Sequence, residues 1–149
     1  MSDKLTTSNQ SADEEAEEAL PFILIVDDSP TIRVSLTRYV KDVFVPIEAA
    51  NGEEAWELIQ NDERIEVVVS DLSMPELDGF GLVERMRESE VTRIQGLPVI
   101  MVTAANDTDA RERAFQAGAN DFLAKDSDKV EFLARLQAQR KLAKAMRLL

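Results

Sequence analysis

The residues with chemical potential in this chain are few. Its 149 positions include no Cys and no His. Thiolate and imidazole chemistry are therefore excluded, and any reaction must use carboxylates, hydroxyls, Lys or Arg. Asp27 and Asp28, Asp71, Thr103 and Lys125 each close a short apolar run. If those runs are neighbouring strands of one parallel sheet, their C-terminal ends form a single patch. Three carboxylates gathered there repel one another and raise each other's pKa unless a cation neutralises them. An all-oxygen donor set points to a hard ion, Mg²⁺ with Mn²⁺ as the alternative, that keeps several waters. A hydroxyl and an ammonium beside such an ion are not needed to store a cation. They suit a bound phosphoryl group, as hydrogen-bond donor and charge partner.

The elements that must position these side chains are legible in the pattern. Phe22 to Val26 is apolar on both alternating faces, as a strand covered on both sides must be. Ser29 then Pro30 reads as an N-cap and first helical residue, and Ile32, Leu36, Tyr39, Val40 and Val43 recur at helical spacing. Val45 to Ala49 is a second strand, sent to the sheet edge by Pro46, which cannot donate to a ladder. Asn51-Gly52 turns the chain into a helix with Ala55, Leu58 and Ile59 on one face. Val67 to Val69 is the third strand; a loop from Leu72 to Gly79 then leads to a helix packing Leu82, Val83 and Met86. Pro98 to Val102 and Asp121 to Ala124 are the fourth and fifth strands, separated by a helix from about Asp107 to Ala117 that Gly118 caps. A last helix starts near Ser127 or Asp128. This alternation predicts an α/β fold, a doubly wound five-stranded parallel sheet in the order 2-1-3-4-5.

Composition sets limits on partners. The formal charge is −12, from 17 basic and 29 acidic residues, which opposes nucleic-acid backbones and anionic membrane surfaces. No apolar run approaches a membrane span and no secretion signal is present, so a cytoplasmic location is expected. The charge is uneven. Residues 1–20 hold six acids against Lys4 and almost no large apolar residue, and read as a disordered acidic leader. Residues 129–149 hold six basic residues against Glu131. The domain proper is expected over 21–142, with 143–149 an extension of the last helix and a linker.

Four stretches carry a resemblance to a known family. Val26-Asp27-Asp28-Ser29, the run from Asp71 through Met74-Pro75 to Gly79, Val102-Thr103-Ala104, and Ala117-Gly118-Ala119-Asn120-Asp121-Phe122-Leu123-Ala124-Lys125 occur in order. Together they resemble the receiver domain of two-component response regulators, over about Phe22 to Leu142, and imply its flavodoxin-like fold. The resemblance implies that Asp71 is the phosphoacceptor, taking a phosphoryl group from a sensor histidine kinase or phosphotransfer protein. It implies that Asp27, Asp28, Asp71 and the Ser73 carbonyl hold Mg²⁺ and that Thr103 and Lys125 sense the phosphoryl group. Phe122 matches the rotating aromatic of the family's switch, which reshapes the surface of the fourth helix, fifth strand and fifth helix. Such a protein is a signalling switch rather than an enzyme with a turned-over substrate, and a homodimer through the last helix or the switch face is a further expectation.

Two departures stand out. Asp126 follows Lys125 where the family usually has Pro, so a trans peptide or a local rearrangement is expected. Ala105 is small and neutral at a position that varies among relatives, which leaves the site open to water. Singly, each site residue has a structural explanation: the acids as helix-terminus residues, Thr103 as a cap, Lys125 as an ion-pair partner. Two other functions fit the same residues, a Mg²⁺-dependent phosphatase with Asp71 as nucleophile and an interaction module indifferent to phosphorylation.

Overall fold

Alternation with a period of two sorts the strand residues to two faces, and helices cover both. The computed structural model describes residues 19–104 and 108–148. Strands β1 (Phe22–Val26), β2 (Val45–Ala49), β3 (Ile65–Asp71), β4 (Val99–Thr103) and β5 (Asp121–Ala124) form one sheet in the order β2-β1-β3-β4-β5, parallel throughout. Helices α1 (Pro30–Val40), α2 (Gly52–Asn61), α3 (Gly79–Arg87), α4 (Thr108–Ala117) and α5 (Lys129–Arg147) alternate with the strands. This is the order expected from the sequence, with Pro46 on the edge strand.

One face carries Ile23, Ile25, Val67, Val69, Ile100, Val102 and Leu123 beneath Leu36 and Val40 of α1 and Phe132 and Leu136 of α5. The other carries Leu24, Val26, Val68, Val99 and Met101 beneath α2 and α3, with Ala114 of α4 added at the margin. Each of the strongly buried aliphatic side chains contributes roughly 1.5–3 kcal/mol. Ala114 is the one fully buried residue of α4, and Phe115 beside it is 41% exposed, so α4 is the most lightly anchored helix of the sheet's cover. A bulge between the β1 and β3 registers leaves Glu66 without a β1 partner, and its carboxylate reaches Arg140 of α5 at 3.4 Å.

The helix starts follow capping chemistry. Ser29, Asn51, Asp78 and Asp128 each accept a backbone N–H three residues on, with distances of 3.3 Å for Ser29 and 2.8 Å for the other three. Gly118, at φ +114, ends α4 in a conformation that L side chains rarely adopt. A single helical turn, Thr92–Gln95, precedes β4 and has no counterpart in the sequence expectations; it buries Ile94.

Arg87, the last residue of α3, ties three segments together. Its guanidinium donates to the carbonyls of Gly118 (2.9 Å), Gln95 and Leu97 (both 2.8 Å), and to Asn120 Oδ1 (2.8 Å). Asn120 Oδ1 also accepts from the backbone of Val99 at 2.8 Å. Burial pushes the guanidinium pKa down from its ordinary value.

Residues 1–18 of the expected leader, Ala105, the expected helix start at Asp107, and Leu149 lie outside the described residues. The helix that contains 143–147 is continuous with α5. Among the described residues, no helix is long and apolar enough to cross a membrane.

Candidate functional site

Each of the acidic residues is delivered by the end of a central strand. Asp27 follows β1, and its N–H still pairs with Ala49 of β2 at 3.1 Å. Its side chain is turned inward, only 1% of the residue remaining exposed, and Oδ1 accepts the Ser29 N–H at 2.9 Å. Asp28 is exposed at the mouth. Asp71 ends β3, half-buried, with Oδ1 accepting the Leu72 N–H at 2.9 Å. One carboxylate oxygen from each of Asp27, Asp28 and Asp71 lies within 4.8 Å of the others.

Lys125 completes the group from the end of β5. Its ammonium is 2.9 Å from Asp27 Oδ2 and 3.3 Å from Asp71 Oδ1. The backbone brings it there: the Lys125 N–H donates to the Thr103 carbonyl at 2.8 Å, continuing the pairing of Thr103 with Ala124. The Lys125 to Asp126 peptide is trans, and the Ser127 N–H closes the turn onto the Ala124 carbonyl at 3.1 Å.

The electrostatics reflect two like charges bridged by one cation. Burial pushes the Asp71 carboxyl pKa up, and the charge of Asp27 pushes it further; Lys125 and the Leu72 N–H oppose them without cancelling them. Burial alone would lower the Lys125 pKa, but the hydrogen bond to Asp27 and the charges of Asp71 and Asp27 outweigh it and hold the ammonium above its ordinary value. Three carboxylates against one ammonium leave an excess of two negative charges, which a divalent cation matches. The donor set fits Mg²⁺: oxygen ligands only, an exposed flank for waters, and no His or Cys to favour a softer metal.

The loop after Asp71 is fixed by close approaches. The Gly79 N–H donates to the Leu72 carbonyl at 2.9 Å and the Gly52 N–H to the Leu77 carbonyl at 3.0 Å. A Cβ on Gly79 would collide with the Asp71 carbonyl oxygen, so α3 starts directly against the candidate nucleophile's own peptide. Glu76, in the same loop, has φ +69, a left-handed conformation unusual for a residue with a Cβ. Ser73, two residues past Asp71, is exposed.

Thr103 is buried at the end of β4, one residue beyond the Asp71 to Val102 register pair. Phe122 is partly buried and packs on the face that carries Met101, its register partner. By strand alternation Thr103 and Phe122 point to that same face, the one α4 covers. Arg33 escaped the sequence reading. Its guanidinium donates to the Asp27 carbonyl at 2.6 Å and pairs with Glu48 at 3.1 Å. A basic residue near a helix start runs against the macrodipole, and that was the available signal.

Comparison with known proteins agrees with this geometry. The family described as "Response regulator receiver domain" matches residues 23–137. Response regulator Rre1 of Synechocystis sp. is 37% identical over 117 residues, covering 76% of this chain and 49% of the relative. Transcriptional regulatory protein SrrA of Staphylococcus aureus is 36% identical, covering 78% of this chain and 46% of the relative. The chain thus spans about half the length of these curated relatives. Among solved structures, a putative response regulator from Chloroflexus aurantiacus superposes with TM-score 0.77 at 32% identity, covering 82% of this chain and 98% of that one. The chemotaxis protein CheY4 of Vibrio cholerae superposes with TM-score 0.72 at 28% identity, covering 80% and 98%. With its strand order, its acidic strand ends and these matches in agreement, the chain belongs to the response regulator receiver domain family.

Proposed function

We propose that Asp71 accepts a phosphoryl group from the phosphohistidine of a sensor histidine kinase or phosphotransfer protein, in a Mg²⁺-dependent reaction. The observation that carries this reading is the convergence of three carboxylates within 4.8 Å with the Lys125 ammonium bridging two of them. Asp27, Asp28, Asp71 and the Ser73 carbonyl would hold the ion. When bound, Mg²⁺ supplies charge neutralisation and orientation of the phosphoryl oxygens.

The chain's own residues do the rest. An Asp71 carboxylate oxygen forms a bond to phosphorus while the donor's N–P bond breaks; the imidazole nitrogen keeps that electron pair and later takes a proton. No base is required, because a carboxylate is ionised at neutral pH, and catalysis is positioning and charge compensation. Lys125, firmly protonated, stays beside the acyl phosphate as a fixed positive charge. The Thr103 hydroxyl donates to a phosphoryl oxygen, and Phe122, on the same face of the sheet, turns inward as that hydroxyl moves. The lightly anchored α4 then resettles, and the surface of α4, β5 and α5 controls a partner or an output domain. The protein is a signalling module in this reading, its phosphotransfer being to itself.

The test uses acetyl phosphate as donor with the full chain. Intact-mass measurement should show one phosphoryl group per chain with Mg²⁺, none with excess chelator and none in Asp71→Asn. Sustained hydrolysis of a phosphomonoester by the unmodified chain, or label persisting in Asp71→Asn, would overturn the assignment.

A further inference from the structure

The far end of the sheet from the acidic site carries a feature that phosphotransfer does not use. There α5 runs past the N-terminal ends of β3 and β4 and leaves a groove of about 430 Å³ lined by Ile65, Leu97, Leu142, Ala143, Met146 and Arg147, among others. Leu142 and Met146 remain 56% and 61% exposed on it. A second depression adjoins it, formed by Phe22, Arg64, Lys144, Arg147 and Leu148 with Glu63 and Glu66. Beyond Arg135, α5 is basic without exception: Arg140, Lys141, Lys144 and Arg147, with no acid. The acids facing it are Glu63, in the turn before β3, and Glu66 of β3; Glu66 is already engaged by Arg140 at 3.4 Å, and Arg64 of the second depression by Asp62 at 2.8 Å. Arg93, also on the lining, donates to the Ile59 carbonyl at 3.1 Å and adds to the positive side.

We propose that this groove is the docking site of the chain's own residues 13–18. Those residues are Asp13, Glu14, Glu15, Ala16, Glu17 and Glu18, five acids in six positions. The described chain begins at Ala19 and reaches Phe22 in the depression beside Lys144 and Arg147, with the Pro21 carbonyl accepting the Val45 N–H at 2.9 Å. The acidic stretch is therefore tethered next to the basic helix end. Seven residues before Leu20 can span about 25 Å at most, and the helix from Gln139 to Arg147 is only about 12 Å long. Reach is ample. A short tether also gives the segment an effective concentration in the millimolar range, so individually weak ion pairs suffice for occupancy. Ion pairs of this exposed kind are screened by salt, so occupancy falls steeply as the Debye length shrinks.

The chain has no Cys, so Ser11→Cys places a single nitroxide just ahead of the acidic stretch in the full-length protein. Amide intensities of ¹⁵N-labelled chain are then compared before and after reduction of the nitroxide, at about 0.02 M and about 1 M salt, where the Debye length is near 3 Å in the latter. Docking is expected to at least halve the intensities over residues 139–148 at low salt, with recovery at high salt. Lys144→Glu with Arg147→Glu should abolish the broadening, and adding Glu14→Lys with Glu15→Lys should restore it. The unchanged amide positions of residues remote from the groove, 24–58 and 68–88, report that the variants are folded. Broadening that is absent, spread evenly over the surface, or indifferent to the charge reversal overturns the proposal. So does broadening seen when nitroxide-bearing unlabelled chain is mixed with ¹⁵N chain lacking the nitroxide, because the occupant is then a second copy.

Discussion

Asp27 and Asp71 share one ammonium, and that arrangement has consequences that can be measured residue by residue. The raised pKa of Asp71 means that its ionised form is disfavoured in the fold. A carboxyl whose folded pKa lies above its unfolded value contributes stability at acid pH and loses it as pH rises through the folded pKa. Asp71→Asn should therefore melt higher than the unchanged chain at pH 7 without divalent ions, and the gap should close as the pH is lowered below the usual carboxylate range. A thermal melt series over pH checks the sign. Lys125→Met acts the other way. It leaves Asp27, the more deeply buried acid, without its charge partner and should cost about 1–3 kcal/mol in metal-free buffer. Mg²⁺ should bind this variant more tightly than the parent, because the competing positive charge is gone; titration calorimetry reads the difference. The site acids, Thr103 and Lys125 were legible in sequence because each ends an apolar run. Arg33 was not, because its partner at the site is the main-chain carbonyl of Asp27, and a backbone acceptor leaves no signature beyond the unfavourable place of a basic residue near a helix start.

At the scale of elements, the start of α3 is the most constrained point. Gly79 sits against the Asp71 carbonyl, where no side chain fits. Gly79→Ala should destabilise the protein by roughly 1–3 kcal/mol through overpacking and slow phosphorylation by acetyl phosphate in whatever folded protein remains. Denaturant melts and initial labelling rates separate the two effects. Strands β1 and β4 were readable because burial on both faces leaves an unbroken apolar run, and the edge place of β2 was readable from Pro46. The β3 start was read two residues late, because Glu66 interrupts that run where the bulge turns it toward Arg140. The turn at Thr92–Gln95 went unseen because four residues cannot establish a helical period. The trans Lys125 to Asp126 bond and the tight turn to Ser127 show how Lys125 reaches the acids without a proline after it.

For the whole molecule, a chain that gathers three carboxylates against one ammonium at its strand ends should be stabilised by a divalent cation. At ten times its dissociation constant, Mg²⁺ should add about 1.4 kcal/mol by mass action, which corresponds to a rise of roughly 2–8 °C in melting temperature for a domain of this size. Asp28→Asn, exposed and outside the core, should remove most of the rise without lowering the metal-free melting temperature. A scanning-fluorimetry series with Mg²⁺ and with matched ionic strength from NaCl decides it. The curated relatives are about twice as long as the stretch they share with this chain, so this behaviour belongs to the receiver and not to whatever accompanies it there.

The reach of Arg87 bears on protein engineering. Its fork serves carbonyls before β4 and after α4 together with the amide of Asn120, and the two acceptors after α4 lie more than 30 residues from residue 87 in sequence. A chimera that imported the segment from α4 through β5 into a host with Leu at this position would bring two acceptors, the Gly118 carbonyl and Asn120 Oδ1, and no donor. A host arginine, conversely, would face a foreign turn whose oxygens need not converge. Graft boundaries drawn from secondary structure alone therefore cut through a hidden dependency, and residue 87 must travel with the transplant.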